Sequence, residues 1–166
     1  LRPSGYEPDE LPGCSTPRFI SFYRQIKNIQ VLKFTEKNMP KKKRIMVDMS
    51  ATILHHGHIR ILKQAKKLGY VIVALTSDSE INKFKKFEPP FNFNKRKEVL
   101  LSIKYVDEVI KSKNIIDNNF LKKNRIDFLV HGDDNVNIVS KSKLKIYKRT
   151  RGINSTLIRK SITKSL

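Results

Sequence analysis

The chain has one cysteine, Cys14, no tryptophan, six glycines and 15 acidic residues against 35 Lys and Arg over 166 positions. A single thiol excludes an intramolecular disulfide and a thiolate-only metal cluster, and it fits a reducing compartment. No apolar run approaches the ~18 residues that cross a bilayer, and no signal-peptide core is visible, so the expectation is a cytoplasmic protein without stable membrane insertion. Aromatic residues are sparse, at 8%. Phe84, Phe87, Phe91 and Phe93 fall in one stretch instead of alternating with basic residues along strands, as the stacking platforms of single-stranded nucleic-acid binders require. The net charge of +20 is therefore read as coding drift towards Lys, Asn and Ile combined with small anionic substrates, and no nucleic-acid partner is expected.

The length suits one domain that buries its own core. Residues 1–38 stand apart. The stretch "LRPSGYEPDELPGCSTPR" is rich in Pro and Gly, with no hydrophobic period. One back-translation of Ser4 to Pro17 resembles the antisense strand of a tRNA gene. The expectation is a non-native or disordered extension over 1–38, with translation starting at Met39 and one folded domain over 39–166.

From Met39 onward, apolar strand-like runs alternate with helical periods. "RIMVD" suits a buried parallel strand. "GHIRILKQAKKLG" places Ile59, Ile61, Leu62, Ala65 and Leu68 at helical spacing and ends at Gly69, and "YVIVALTSD" is a second buried strand. Helices are expected around "KRKEVLLSI", "DNNFLKKN" and "NSTLIRKSI", and strands at "DEVI", "DFLVHG" and "LKIYK". The pattern predicts an α/β domain with a doubly wound, parallel, five-stranded sheet. Ligands of such sheets bind at the carboxyl ends of the strands, where strand order reverses, and "DMSATILHHGH", "TSD", "HGDD" and "KRTRGINST" all fall at such ends.

Three of the four histidines, His55, His56 and His58, flank Gly57 at the entrance to the first helix. Free backbone N–H groups and the helix dipole favour an anion there, and a glycine lets it approach closely. Zinc is the weaker reading: no Cys, Asp or Glu flanks the cluster, and the zincin spacing is absent. No metal ligands are assigned. Farther along, "RTRGINST" offers a strand end, a glycine turn and the capping residues Asn154, Ser155 and Thr156, a second phosphate cradle.

"HHGH", "KYVDEVI" (104–110), "VHGDD" (130–134) and "KRTRGINST" (148–156), in that order, resemble the HxGH nucleotidyltransferase superfamily. The likeness is to its cytidylyltransferases for glycerol 3-phosphate, phosphocholine and phosphoethanolamine; "VDMSATILHHGH" is similar to domains found with phosphonate biosynthesis. The resemblance covers nearly all of residues 43–163. It implies a Rossmann-like fold, a homodimer, and in-line attack of a phosphate or phosphonate oxygen on the α-phosphorus of CTP, with Mg²⁺ bridging the phosphates and pyrophosphate leaving. Matched position by position, it assigns His55 and His58 to catalysis. Ser50, Lys85, Arg96, Asp133, Arg149, Thr150, Asn154, Ser155 and Thr156 are assigned to nucleotide binding, with Lys83, Lys85 and Lys86 on a loop. Thr52 stands where relatives commonly carry Asp, and Asn135 where they often carry Trp. The alternatives are an adenylyltransferase using ATP and a sugar phosphate, or a basic nucleic-acid-binding module that has lost catalysis.

Overall fold

The computed structural model describes residues 41–134 and 136–164; the expectations for residues 1–38 and for Asn135 lie outside the described residues. Five strands, β1 (Arg44–Met49), β2 (Tyr70–Thr76), β3 (Glu108–Ser112), β4 (Phe128–Gly132) and β5 (Leu144–Tyr147), form one sheet in the order β3-β2-β1-β4-β5. Every neighbouring pair is parallel. The intervening helices are α1 (His56–Lys66), α2 (Asp78–Lys85), α3 (Phe93–Leu101), α4 (Asn118–Lys123) and α5 (Ser155–Lys164).

Strand alternation sorts the apolar residues into two layers. Ile45, Val47 and Met49 of β1 face a core that includes Leu62 and Ala65 of α1 and Leu100 of α3. Met46, with Ile72 and Ala74 of β2, faces the opposite core, where Leu121 of α4 packs with Ile116, Ile126 and Leu129. Covering both faces is what allows β2 to be buried at six of its seven positions. Asp107 of the "KYVDEVI" segment accepts from Lys66 Nζ of α1 at 2.5 and 2.6 Å and from the Val71 N–H at 2.7 Å. That carboxylate fastens α1 to the start of β2.

Two local features differ from the sequence expectation. The lysine-bearing stretch read as a loop is helical: Ser77 caps α2 by accepting from the Glu80 N–H, Asp78 and Glu80 sit in its first turn, and Ile81 is buried. Gly69 serves less as a helix stop than as a point of close approach. The cap of α1 is Lys67 in a right-handed conformation, whereas a Cβ at Gly69 would overlap the Lys43 carbonyl, which accepts from the Tyr70 N–H at 2.8 Å.

The chain moves outward from β1 to β2 and β3, then returns to lay β4 on the other side of β1. The order reverses between β1 and β4, so their carboxyl ends diverge and open a crevice. Asp48 and His131 stand at those two ends.

Candidate active site

Above the crevice lies a cleft of about 1330 Å³ between the β1–α1 turn and the segment from Tyr147 to Leu157. Seven Lys or Arg side chains line it against two carboxylates, Asp48 and Asp134, a balance suited to a polyanion.

The histidine turn is built by local bonding. His55 has extended backbone (φ −144°, ψ 168°) and caps α1. Its Nδ1 accepts from the Gly57 N–H at 3.2 Å, while the His55 N–H donates to Nδ1 of His58 at 3.3 Å. This is a capping box made from two imidazoles in place of a hydroxyl and a carboxylate. It fixes chemistry as well as shape: with both Nδ1 atoms accepting, each neutral ring carries its proton on Nε2. Burial, the neighbouring His55 and the cations Lys85 and Arg149 push the His58 pKa down to about 4. Burial, His56 and Arg149 lower that of His55. The pair is thus a set of neutral N–H donors at a helix N-terminus. A Cβ on Gly57 would come within 2.9 Å of the His55 ring and 3.7 Å of Thr150 Cβ, so the missing side chain keeps the passage between the two cradles open.

Across the cleft, Gly152 adopts φ +75°, a turn that favours glycine. Asn154 caps α5 by accepting from the Leu157 N–H at 2.8 Å. Ser155 Oγ donates to the Ile53 carbonyl at 3.0 Å, binding the second cradle to the loop that carries the first. Arg149 Nη1 donates to Asp134 Oδ2 at 2.7 Å. Lys85 Nζ donates to Ser50 Oγ at 2.8 Å, which brings α2 to the end of β1. The cleft thus gathers His55, His58, Ser50, Lys85, Arg149 and Thr150, together with Asn154, Ser155 and Thr156. Thr52, in the place of the expected carboxylate, lines it too and is only 4% exposed. Between Ser50 and Thr52, Ala51 is held at φ 45°, a left-handed conformation costly for a residue with a Cβ.

Two of the assigned residues stand apart from the rest in this geometry. Arg96 is 2% exposed, and its guanidinium donates to the carbonyls of Phe91 (3.1 Å), Ser50 (2.5 Å) and Thr76 (2.9 Å) and to Asp78 Oδ1 (2.6 Å). It is a clamp joining the ends of β1 and β2 and the first turn of α2 to α3, its donors engaged by three carbonyls and the Asp78 carboxylate. Asp133 is exposed and is not among the residues lining the cleft, whereas its neighbour Asp134 is.

Sequence reasoning passed over a network on the cleft floor. His131 Nε2 lies 3.3 Å from Asp48 Oδ2, its Nδ1 lies 3.0 Å from the Gly132 carbonyl, and Asn137 Nδ2 donates to Asp48 Oδ2 at 3.0 Å. Burial opposes a charge on His131, but the hydrogen bond and charge of Asp48, the Gly132 carbonyl and Asp134 outweigh it and hold the pKa up at about 8. A strand-end Asp and a strand-end His were the only signal in the chain. Their pairing depends on β1 and β4 being adjacent.

Among the described residues no group of three or more His, Cys, Asp or Glu could hold a metal ion, and no helix is long and apolar enough to cross a membrane.

A parallel doubly wound sheet with a basic cleft at its switch point is the architecture of a nucleotide-binding α/β domain. The comparisons carry this further. The family model described as cytidylyltransferase-like matches residues 50–161. A glycerol-3-phosphate cytidylyltransferase of Bacillus subtilis is 36% identical over 132 residues, spanning 72% of this chain and 97% of the relative. An FAD synthase of Thermococcus kodakarensis is 39% identical over 121 residues, spanning 72% of this chain and 80% of the relative. The crystal structure of a lipopolysaccharide core biosynthesis protein from Thermoplasma volcanium has a TM-score of 0.50 at 24% identity, covering 75% of this chain and 88% of that one; it bears on the fold. The chain belongs to the cytidylyltransferase-like family of nucleotidyltransferases.

Proposed function

We propose that the protein transfers CMP from CTP to a small phosphorylated or phosphonate alcohol of the glycerol 3-phosphate, phosphocholine, phosphoethanolamine or 2-aminoethylphosphonate type, releasing pyrophosphate. The observation that carries this reading is that the His55–His58 turn and the Arg149–Thr156 segment line one cleft, so a single triphosphate can be gripped from both sides. The glycerol-3-phosphate cytidylyltransferase relative, aligned over 97% of its length, supports the choice of nucleotide and acceptor class.

In the reaction an acceptor oxygen attacks the α-phosphorus in line, the bond to the β-phosphate oxygen breaks, and charge grows on the equatorial and leaving oxygens. Catalysis then consists of positioning and electrostatic stabilisation. The Nε2–H groups of His55 and His58 donate to the reacting phosphates and need no protonation change to do so. Arg149 and the N-terminus of α5 hold the departing pyrophosphate. Lys85, poised on Ser50, adds positive charge at the end of β1. Mg²⁺ belongs to this reading as a companion of the nucleotide. Bound with the triphosphate, it would neutralise phosphate charge. A homodimer is part of the same reading, testable by light scattering.

Purified protein should release pyrophosphate from CTP with at least one acceptor of that panel; a folded protein silent across it contradicts the assignment. The likeness to FAD synthase favours one second reading, adenylyl transfer from ATP, and parallel assays with ATP and CTP separate the two.

A further inference from the structure

We propose that the groove between α1 and β5 is a second binding site, one that takes single-stranded nucleic acid: Arg60, Lys63, Lys67, Lys148 and Arg151 hold its phosphates, and Tyr147 stacks on a base. This activity stands beside the transfer reaction. It runs against the expectation of no nucleic-acid partner drawn from the order of aromatic and basic residues along the chain.

The cleft does not end at the two cradles. It continues along α1, where Arg60, Lys63 and Lys67 line it, and Tyr147, Lys148 and Arg151 form the facing wall. Residues 56–67 and 144–153, which supply the two walls, contain neither Asp nor Glu. All five cations are exposed, and none makes an ion pair or a side-chain hydrogen bond among the described residues. On α1 the three cations fall at i, i+3 and i+7, which puts them in one row. From Arg60 to Lys67 that row rises about 10 Å, roughly the length of three nucleotides in one strand.

A row of cations suits any polyanion; the sheet face narrows the choice. In the register of β4 and β5, Lys145 pairs with Val130 and Tyr147 with Gly132. Alternation then directs both β5 side chains to the face on which α1 packs, and Tyr147 and Phe128 lie half-buried against that core. Lys145 Nζ stands 4.6 Å and Lys43 Nζ 5.3 Å from the centroid of the Phe128 ring. Aromatic and basic side chains thus interleave across three strands, the arrangement with which single-strand binders stack bases and hold phosphates. Cations on both walls with a ring between them admit one strand, whereas a duplex or a bilayer would reach only the rims.

The test is the fluorescence anisotropy of a labelled ten-residue oligouridylate titrated with the full chain, with thermal melting of each variant alongside. Lys63→Glu/Lys67→Glu is expected to weaken binding about tenfold or more and to flatten its salt dependence. Lys122→Glu/Lys123→Glu makes the same change of charge on α4, which packs on the opposite core, and should weaken it less than about twofold. Tyr147→Leu should lose about tenfold, and Tyr147→Phe, which keeps the ring, should bind as wild type does. If Tyr147→Leu melts early, the two lysine pairs on exposed helix surface still decide the question. Equal losses for the two lysine pairs overturn the proposal, because the attraction would then belong to the net charge of the whole chain. Unchanged affinity in a folded Tyr147→Leu overturns it too, as does a duplex of the same length or a ten-residue oligoglutamate that binds as tightly as the single strand. The readout involves no turnover, so a chain inactive with CTP leaves this site standing.

Discussion

His58 and His131 line the same cleft, yet their pKa values move apart, to about 4 and to about 8. Both are substantially buried, so burial alone does not explain the difference. His58 sits at a helix N-terminus among Lys85, Arg149 and a second imidazole, where another positive charge is unwelcome. His131 sits between Asp48, Asp134 and a carbonyl. One histidine is held neutral on the wall of the cleft, the other is a charged tie between strands. The arginines repeat the lesson: Arg149 is exposed and lines the cleft, whereas Arg96 is enclosed by carbonyls.

The contrast can be broken at several points, and the largest effect is expected at His58. His58→Ala should lower kcat/KM about a thousandfold, the usual scale for losing a transition-state donor, while costing about 1 kcal/mol of stability for the damaged cap. A loss of folding in step with activity, read by thermal melting, would place His58 with His131 as a structural residue. Arg96→Leu should do the reverse, destabilising the protein by about 3–5 kcal/mol because Asp78 and three carbonyls lose their partner; a stable Arg96→Leu enzyme with a raised KM for CTP would return Arg96 to the nucleotide.

His131→Asn should cost about 2 kcal/mol near pH 6, the worth of a pKa raised from 6.5 to about 8. A group whose folded pKa is raised stabilises fully below its unfolded pKa, and that stabilisation fades as pH climbs through the folded value. The difference in Tm between wild type and His131→Asn should therefore shrink as pH passes 8. His58 runs the other way. Its folded pKa is depressed, so the unfolded chain binds the extra proton between pH 6.5 and about 4, and stability falls as pH drops through that window. His58→Asn should flatten this slope. The smallest pair of effects separates adjacent carboxylates: Asp134→Asn, freeing Arg149, should change CTP affinity severalfold, on the order of an exposed ion pair, and Asp133→Asn should change it within error.

Much of the fold was legible because it is written in short-range periods. The apolar runs of β1 and β2, the helical spacing of α1 and the order of strands and helices all emerge from windows of a few residues. Of the site, the histidine turn and the α5 entrance could be read directly, since capping is local. The α2 helix was misread as a loop because its lysines drew attention from a short but complete set of signals: Ser77, Asp78, Glu80 and the buried Ile81. Arg96 and Asp133 were assigned by position in a motif, and position does not say which way a side chain turns or what it meets there.

The residue sequence by itself determined which segments become strands and helices, where backbone N–H groups would be left open, and that those openings carry imidazole, hydroxyl and guanidinium groups. Only the tertiary structure decided that the order reverses between β1 and β4, that Asp48 therefore meets His131, that Arg96 closes on carbonyls, and that two histidines of one chain hold their protons at pH values far apart. The reason is the range of the forces. Dihedral preference and capping act within a turn of chain, whereas burial and the charges that set a pKa come from groups brought close only by folding.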